Sequence, residues 1–191
     1  MVDDAGRALA AAAGLRLVDA APKLPPLSVE WALSNLVQLR RELGDLWPGC
    51  RDQLTAEIAF GMDIAQEHFG LDAAARVEAQ RIEANEAMAD LFDQVDFVIC
   101  ATNPDVAFGA EVTINFQVGD VQVGPENNGA LTIPANITGN PAVSIPIGLF
   151  EGLPVGMQVM ALHHRDALLL DLALCMERER PWPLVAPGAP L

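Results

Sequence analysis

Hydrolysis of an amide without a metal needs an activated nucleophile, a base within hydrogen-bond reach, and donors aimed at the developing oxyanion. The 191-residue chain holds one lysine, Lys23, and three serines, Ser28, Ser34 and Ser144. Lys23 lies in a connector with Pro22, Pro25 and Pro26, Ser28 stands where it can cap a helix, and Ser34 falls inside that helix. None of them lies in a Gly- and Ser-rich loop. Ser144, within PAVSIPIG, reads as mid-strand with no base nearby, so a structural role is expected for it and no catalytic residue is expected in this chain.

The other reactive side chains are scattered. Cys50, Cys100 and Cys175 form no C-x-x-C pair, which points to idle thiols in a reducing compartment. A hydrolase built on Cys100 and one of the histidines is the competing chemistry, but Cys100 lies in the apolar run FVICA, where a thiolate is disfavoured. His163 and His164 are adjacent, so on an extended loop they point apart, and His68 belongs to a separate helix. No metal site and no cofactor are expected.

Better candidates for ligand contact lie at strand and helix ends. Phe97 to Ala101 is short and unbroken by polar residues, as a strand buried on both faces should be. Thr102-Asn103-Pro104 ends it, and ligands in open α/β folds are met at the carboxyl ends of strands. Thr102 and Asn103 are therefore candidate substrate-binding residues. Asn136 and Thr138 are explained first as side chains that hydrogen-bond local backbone at a buried turn.

These residues need a frame. Asp4 to Ala13 reads as a helix stopped by Gly14, and Leu15 to Val18 as a short strand. Ser28 caps a helix expected to run to about Leu46, before Pro48-Gly49. Leu54, Ile58, Met62, Ala65 and Phe69 form the stripe of a third helix. Asp72 caps a fourth, with Val77, Ala84, Met88, Leu91 and Val95 on one face. Val112, Ile114, Phe116 and Val118 alternate as a half-exposed strand or hairpin arm, followed by a turn over Gly124 to Gly129.

The most patterned stretch runs from Thr132 to Ala161, with four Pro and four Gly between apolar runs. It predicts a short helix capped by Thr132 and stopped at Gly139, then strands over Ala142 to Ile147 and Val155 to Ala161. The joining turn is expected to hold Gly148, Gly152 and Pro154. After a loop at Leu162 to Arg165, with Asp166 as cap, a last helix is expected over Leu168 to Arg180, and then an extended tail. The overall expectation is an α/β fold in one domain over 1–191, with a helical layer at about 28–95 and a sheet core at about 96–180.

Composition limits the partners. A net charge of −15 argues against nucleic acid, which needs clustered Lys and Arg. No apolar run approaches the roughly 20 residues needed to span a bilayer. The opening MVDDAGRALAAAAG carries acids where a secretory signal carries base, so a cytoplasmic setting is expected. A hydrophobic fraction of 51% with 19% charged residues suits a piece of a larger core, and exposed apolar edges predict self-association.

The order N-x-T-G-x-P-A-x-S-x-P-x-G, then G-L-P-V-G-x-Q, resembles the carboxy-terminal core of the amidase signature enzymes, serine hydrolases that cleave carboxamides. The matching residues are Asn136, Thr138, Gly139, Pro141, Ala142, Ser144, Pro146 and Gly148, then Gly152, Leu153, Pro154, Val155, Gly156 and Gln158. Asp96, Thr102 and Pro104 look like the strand and loop that lead towards the amidase pocket, and Asn136 stands close to it. The resemblance implies part of an amidase-type mixed sheet covered by helices, no cofactor, and a small amide as substrate of the complete enzyme. It also implies a Lys, a Ser in a cis peptide and a nucleophilic Ser, none of which has a counterpart here. The chain is thus expected to be the carboxy-terminal portion of an amidase, inactive alone and partnered by the absent amino-terminal half. The alternative is a non-catalytic binding or partner module derived from an amidase.

Overall fold

The computed structural model describes residues 1–183 except Ala21, Leu27, Ser28, Thr113, Ile114, Pro125, Glu126 and Asn128. The expected cap at Ser28, the middle of the expected hairpin arm at Ile114 and most of the tail lie outside the described residues. The elements are α1 (Val2–Ala13), α2 (Val29–Leu43), α3 (Ala56–His68), α4 (Leu71–Phe92), β1 (Phe97–Ala101), β2 (Gln117–Val118), β3 (Val121–Gln122), α5 (Ile133–Thr138), β4 (Ala142–Phe150), β5 (Leu153–Ala161) and α6 (Asp166–Glu179). Short 3₁₀ turns at Gly44–Leu46 and Arg51–Gln53 link α2 to α3.

β5 is the centre of a three-stranded sheet in the order β1-β5-β4, antiparallel at both pairings. Side-chain alternation sends Met157, Val159 and Ala161 to one face and Gln158 and Met160 to the other. On the first face they meet Ile145 of β4, Ala5 and Leu9 of α1, and Leu169, Leu172 and Met176 of α6. On the second, Met160 packs with Met88 and Leu91 of α4 and Ala135 of α5. β5 is therefore covered on both faces and paired on both edges, and its last five residues are all buried.

β1 and β4 sit at the sheet's margins, each with one edge paired to β5. Both faces of β1 are covered as expected, Phe97 and Ile99 by one cluster and Val98 and Cys100 by the other, yet all five residues are only half-buried. The open edge, which an isolated apolar run does not reveal, accounts for that. β4 alternates: Val143, Ile145 and Ile147 face α1 and α6, while Ala142, Ser144 and Pro146 are exposed on the other side.

The two long strands extend further than the sequence suggests. Gly148, with φ 125°, is not in the turn; it forms a bulge where the register slips between Pro146 and Gly148. The turn is the two residues Glu151 and Gly152, both at positive φ, which matches the twist of the flanking strands. Leu15 to Val18 forms no strand, because Gly14 turns left-handed and the Leu15 N–H closes on the Ala10 carbonyl, spending its donor on the helix end. Asp72 and Asp166 lie in their helices' first turns and not at the caps; Thr132 is the N-cap residue of α5 as expected, but its hydroxyl donates back to the Gly129 carbonyl and not to the helix. Of the expected hairpin arm, Gln117–Val118 form β2, which pairs with β3 around Gly119 and Asp120.

α2 and α3 pack together beside α4, burying Ala59, Met62 and Ala65 with Trp47. Of the three consecutive helices, it is α4 that lies on the sheet. α1, from outside the expected sheet core, packs against α6, and Arg180 donates to the Asp4 carboxylate at 2.9 Å. That hydrogen bond holds the Asp4 carboxyl below its ordinary range.

Ile145→Ala is expected to cost about 2–5 kcal/mol, because the side chain is 1% exposed between the sheet and two helices. Leu149→Ala, at 66% exposed on the same strand, should stay within about 0.5 kcal/mol. Urea unfolding of both variants checks the assignment of the covered face.

Candidate functional site

The uncovered side of β4 and the carboxyl end of β1 meet at a hollow of about 340 Å³. Its polar lining is Thr102, Thr132, Asn136, Asn140, Ser144 and Gln158, and no lining residue is charged. Each arrives by a definite route. The Thr102 N–H donates to the Gly156 carbonyl at 3.0 Å, carrying the β1–β5 ladder one residue past the strand. Ser144 stands opposite Gln158 in the β4–β5 register, and Gln158 stands opposite Cys100 in the β1–β5 register. Asn136 comes from α5, whose Pro134 fits the first turn and whose Gly139, at φ 72°, ends it.

The Thr102 and Ser144 hydroxyls are 2.6 Å apart, spanning β5 above Gly156. A Cβ on Gly156 would lie 2.5 Å from Ser144 Oγ and 2.7 Å from Thr102 Oγ1, so the glycine is what lets the two hydroxyls meet. Gln158 is 4% exposed, and its amide donates to the Leu131 carbonyl at 2.8 Å and to Cys100 Sγ at 3.4 Å. The Asn136 amide donates to the Thr132 carbonyl at 3.0 Å.

Below the hollow, Thr138 and Asn140 lock the α5–β4 junction. The Thr138 hydroxyl lies 2.6 Å from Asn140 Oδ1 and 2.9 Å from the Pro134 carbonyl, and the Asn140 amide donates to the Ala161 carbonyl at 3.0 Å. His163 Nε2 lies 2.8 Å from the Thr138 carbonyl, so its ring is part of the same junction. Among the described residues, no buried side-chain nitrogen or oxygen lacks a partner. A fully satisfied network of this kind fixes one arrangement of the wall.

The three candidate substrate contacts are divided. Thr102 and Asn136 share the hollow, whereas Asn103 lines a neighbouring cavity of about 590 Å³ with Asp105, Phe108, Asn127, Phe150 and Val155. Gly156 borders that cavity, and its backbone separates the two spaces. Lys23 lies elsewhere, in a groove with Asp19, Glu83, Glu86 and Asp90. Ser144 has the Thr102 hydroxyl as its side-chain partner, and no base among the described residues bonds to it. Burial pushes the Cys100 thiol up, against the opposing effect of its Gln158 hydrogen bond, and its side-chain partner is an amide and not a histidine. Among the described residues, no three His, Cys, Asp or Glu are grouped to hold a metal, and no helix is long and apolar enough to cross a membrane.

Gln158 and Asn140 carry no functional weight on sequence grounds, yet both belong to the wall. Gln158 has a signal, since a polar amide inside the apolar run PVGMQVMA must find partners when the strand is buried. Asn140, between Gly139 and Pro141, has none.

The amidase family model matches residues 45–170, more than half of the sequence. The chain belongs to the amidase family. A subunit of the glutamyl-tRNA(Gln) amidotransferase of Listeria innocua is 32% identical over 104 residues, which are 54% of this chain and 20% of that protein. The protein of the same name from Clostridium kluyveri is 46% identical over 56 residues, 29% of this chain and 11% of that one. Among solved structures, a 6-aminohexanoate cyclic dimer hydrolase superposes with a TM-score of 0.68 at 25% identity, covering 94% of this chain and 41% of the other. A bacterial aryl acylamidase superposes with a TM-score of 0.64 at 22% identity, again covering 94% and 41%. This member of the amidase family thus spans about a fifth of the length of the Listeria relative and about two fifths of these solved structures.

Two outcomes test the geometry of the wall. Gly156→Ala should destabilise the protein by about 1–3 kcal/mol through overpacking, and adding Thr102→Ala and Ser144→Ala should recover part of that loss in urea unfolding. Cys100 should be alkylated by iodoacetamide at pH 7.5 at least about tenfold more slowly than free cysteine, because burial keeps it protonated; mass mapping of the modified peptide reads the rate.

Proposed function

We propose that this chain supplies the substrate-side wall of an enzyme that hydrolyses a carboxamide C–N bond to a carboxylate and ammonia or an amine, without a cofactor. The nucleophile and base come from a second polypeptide segment of amidase type, and this chain alone does not turn over. The observation that carries the reading is the pairing of Ser144 with Thr102: with no base among the described residues bonded to either hydroxyl, the pair has no group to take a proton, so Ser144 stays a poor nucleophile. Thr102, Asn103 and Asn136 are assigned to substrate binding on their positions around the two cavities.

A small amide fits better than an aminoacylated tRNA. The names of the Listeria and Clostridium proteins tie them to a tRNA, but a net charge of −15 gives this chain no phosphate-neutralising surface of its own. The open edges of β1 and β4 suit docking of a complementing segment, and in its absence they favour self-association. Three free cysteines fit a cytoplasmic setting, and the single-domain organisation stands as part of the same proposal. The satisfied polar junction around Thr138 and Asn140 favours the second reading, an amidase-derived binding module that folds alone.

The test is ammonia release from benzamide by the purified chain. No release is expected from the chain or from Ser144→Ala, and release is expected when the chain is mixed with an amino-terminal amidase fragment carrying the Lys and both Ser. Turnover by the chain alone that Ser144→Ala abolishes would overturn the proposal.

A further inference from the structure

The two edges of the three-stranded sheet are not equivalent. The Thr102 N–H donates to the Gly156 carbonyl, so by alternation Val98 and Cys100 also bond towards β5, and Phe97, Ile99 and Ala101 turn their N–H and C=O groups to the open side. On β4 the Ala161 N–H donates to the Pro141 carbonyl at 3.0 Å, so Val143 and Ile145 bond towards β5 while Ala142, Ser144 and Pro146 point outwards. Pro146 has no N–H to offer there, and the bulge between Pro146 and Gly148 bends the strand just beyond it. Both features discourage strand addition. β1 has neither, and among the described residues its outward groups have no backbone partner.

The chain that leaves α1 stands beside this edge. Leu15 packs with the core that holds Phe97 and Ile99, whereas Leu24 packs with the opposite core, which holds Val98 and Cys100. Between Leu15 and Leu24 the chain therefore crosses from one face of the sheet to the other next to β1. Arg16 to Ala20 are all exposed on this crossing, Leu17 at 51% and Val18 at 45%, and no backbone hydrogen bond joins them to β1. The crossing does not itself fill the edge, because the Leu15 N–H is held by the helix end and the backbone runs across the sheet's margin, not along it.

We propose that the free edge of β1 is the docking slot for one extended apolar segment of the complementing amidase polypeptide, which joins the sheet as a further strand between β1 and Leu17-Val18. This rests on the reading that a second segment completes the enzyme, and it names the surface that receives that segment. Phe97 and Ile99 belong to one core and Val98 and Cys100 to the other, so a strand placed here extends both cores and is apolar on both faces. The solved amidase relatives carry more than half of their length outside the part on which this chain superposes, which is ample to supply one strand. A second copy of this chain is the poorer occupant, since it brings its own Leu15–Leu24 crossing into the same gap. A single strand needs only the gap.

Amide hydrogen exchange of the full purified chain, read by NMR with and without an amino-terminal amidase fragment carrying the Lys and both Ser, tests the proposal. In the chain alone the Ile99 and Ala101 amides should exchange at least about tenfold faster than those of Val98 and Cys100, and the fragment should slow them at least about tenfold while leaving Ala142 and Ser144 unchanged. Ala101→Pro removes an outward N–H without breaking a bond to β5, so it should weaken association with the fragment at least about threefold by sedimentation, whereas Ala142→Pro on the other edge should not. Urea midpoints are measured alongside, and if Ala101→Pro does not fold the exchange pattern of the unaltered chain decides. Protection on β4, absence of protection on β1, or protection of Ile99 and Ala101 in a dimer of the chain alone would overturn the proposal. These readouts record docking and not turnover. Ammonia release by the mixture with β1 unprotected overturns the docking edge and leaves the proposed function standing; protection of β1 without ammonia release does the reverse.

Discussion

Everything in this protein depends on burying β5. A strand covered on both faces and paired on both edges has nowhere to put an unsatisfied group, and seven consecutive positions from Val155 to Ala161 are at least half-buried. The apolar side chains among them assemble two cores, one under α1 and α6 and one under α4 and α5. Gln158 is the polar exception. Because its amide must be satisfied where water is scarce, the Leu131 carbonyl and the Cys100 sulfur are drawn to it, and the segment leading into α5 is tied to the sheet. The wall of the candidate site is thus a by-product of solving a burial problem.

The same constraint separates structure from chemistry. Thr138, Asn140 and His163 look reactive as residue types, yet each is committed to a backbone carbonyl or to its neighbour at the α5–β4 junction. Thr102 and Ser144 are committed to each other, and Lys23 lies in a separate acidic groove. What lines the hollow is a set of neutral amides and hydroxyls. Such a set supplies no base to activate a nucleophile.

Much of this was legible in the sequence. The stripe of Met88 and Leu91, the FVICA run, Pro134 with Gly139, and the two apolar strands of the glycine- and proline-rich stretch each obey a local rule, and each formed the expected element. The failures share a cause: where a backbone group ends up depends on tertiary context. Leu15 was lost to a helix cap, and Gly148 became a bulge instead of a turn because its strand continues past it. Of the site, Thr102 and Asn136 came together as their positions in the motif suggested, while Asn103 turned to a different cavity. The hydroxyl pair was not readable at all, since Thr102 and Ser144 are 42 residues apart and meet across a third strand, β5, that follows both in sequence.

The ion pair between Asp4 and Arg180 joins side chains 176 residues apart, and α1 packs along α6 beneath it. During synthesis the apolar face of α1, with Ala5 and Leu9, emerges well before β5 and α6, which cover it. At about 5–20 residues per second the wait is roughly ten seconds or more, a long exposure for a greasy helix near the ribosome. α1 is thus made well before the elements that bury it, and its apolar face stays open until α6 has formed.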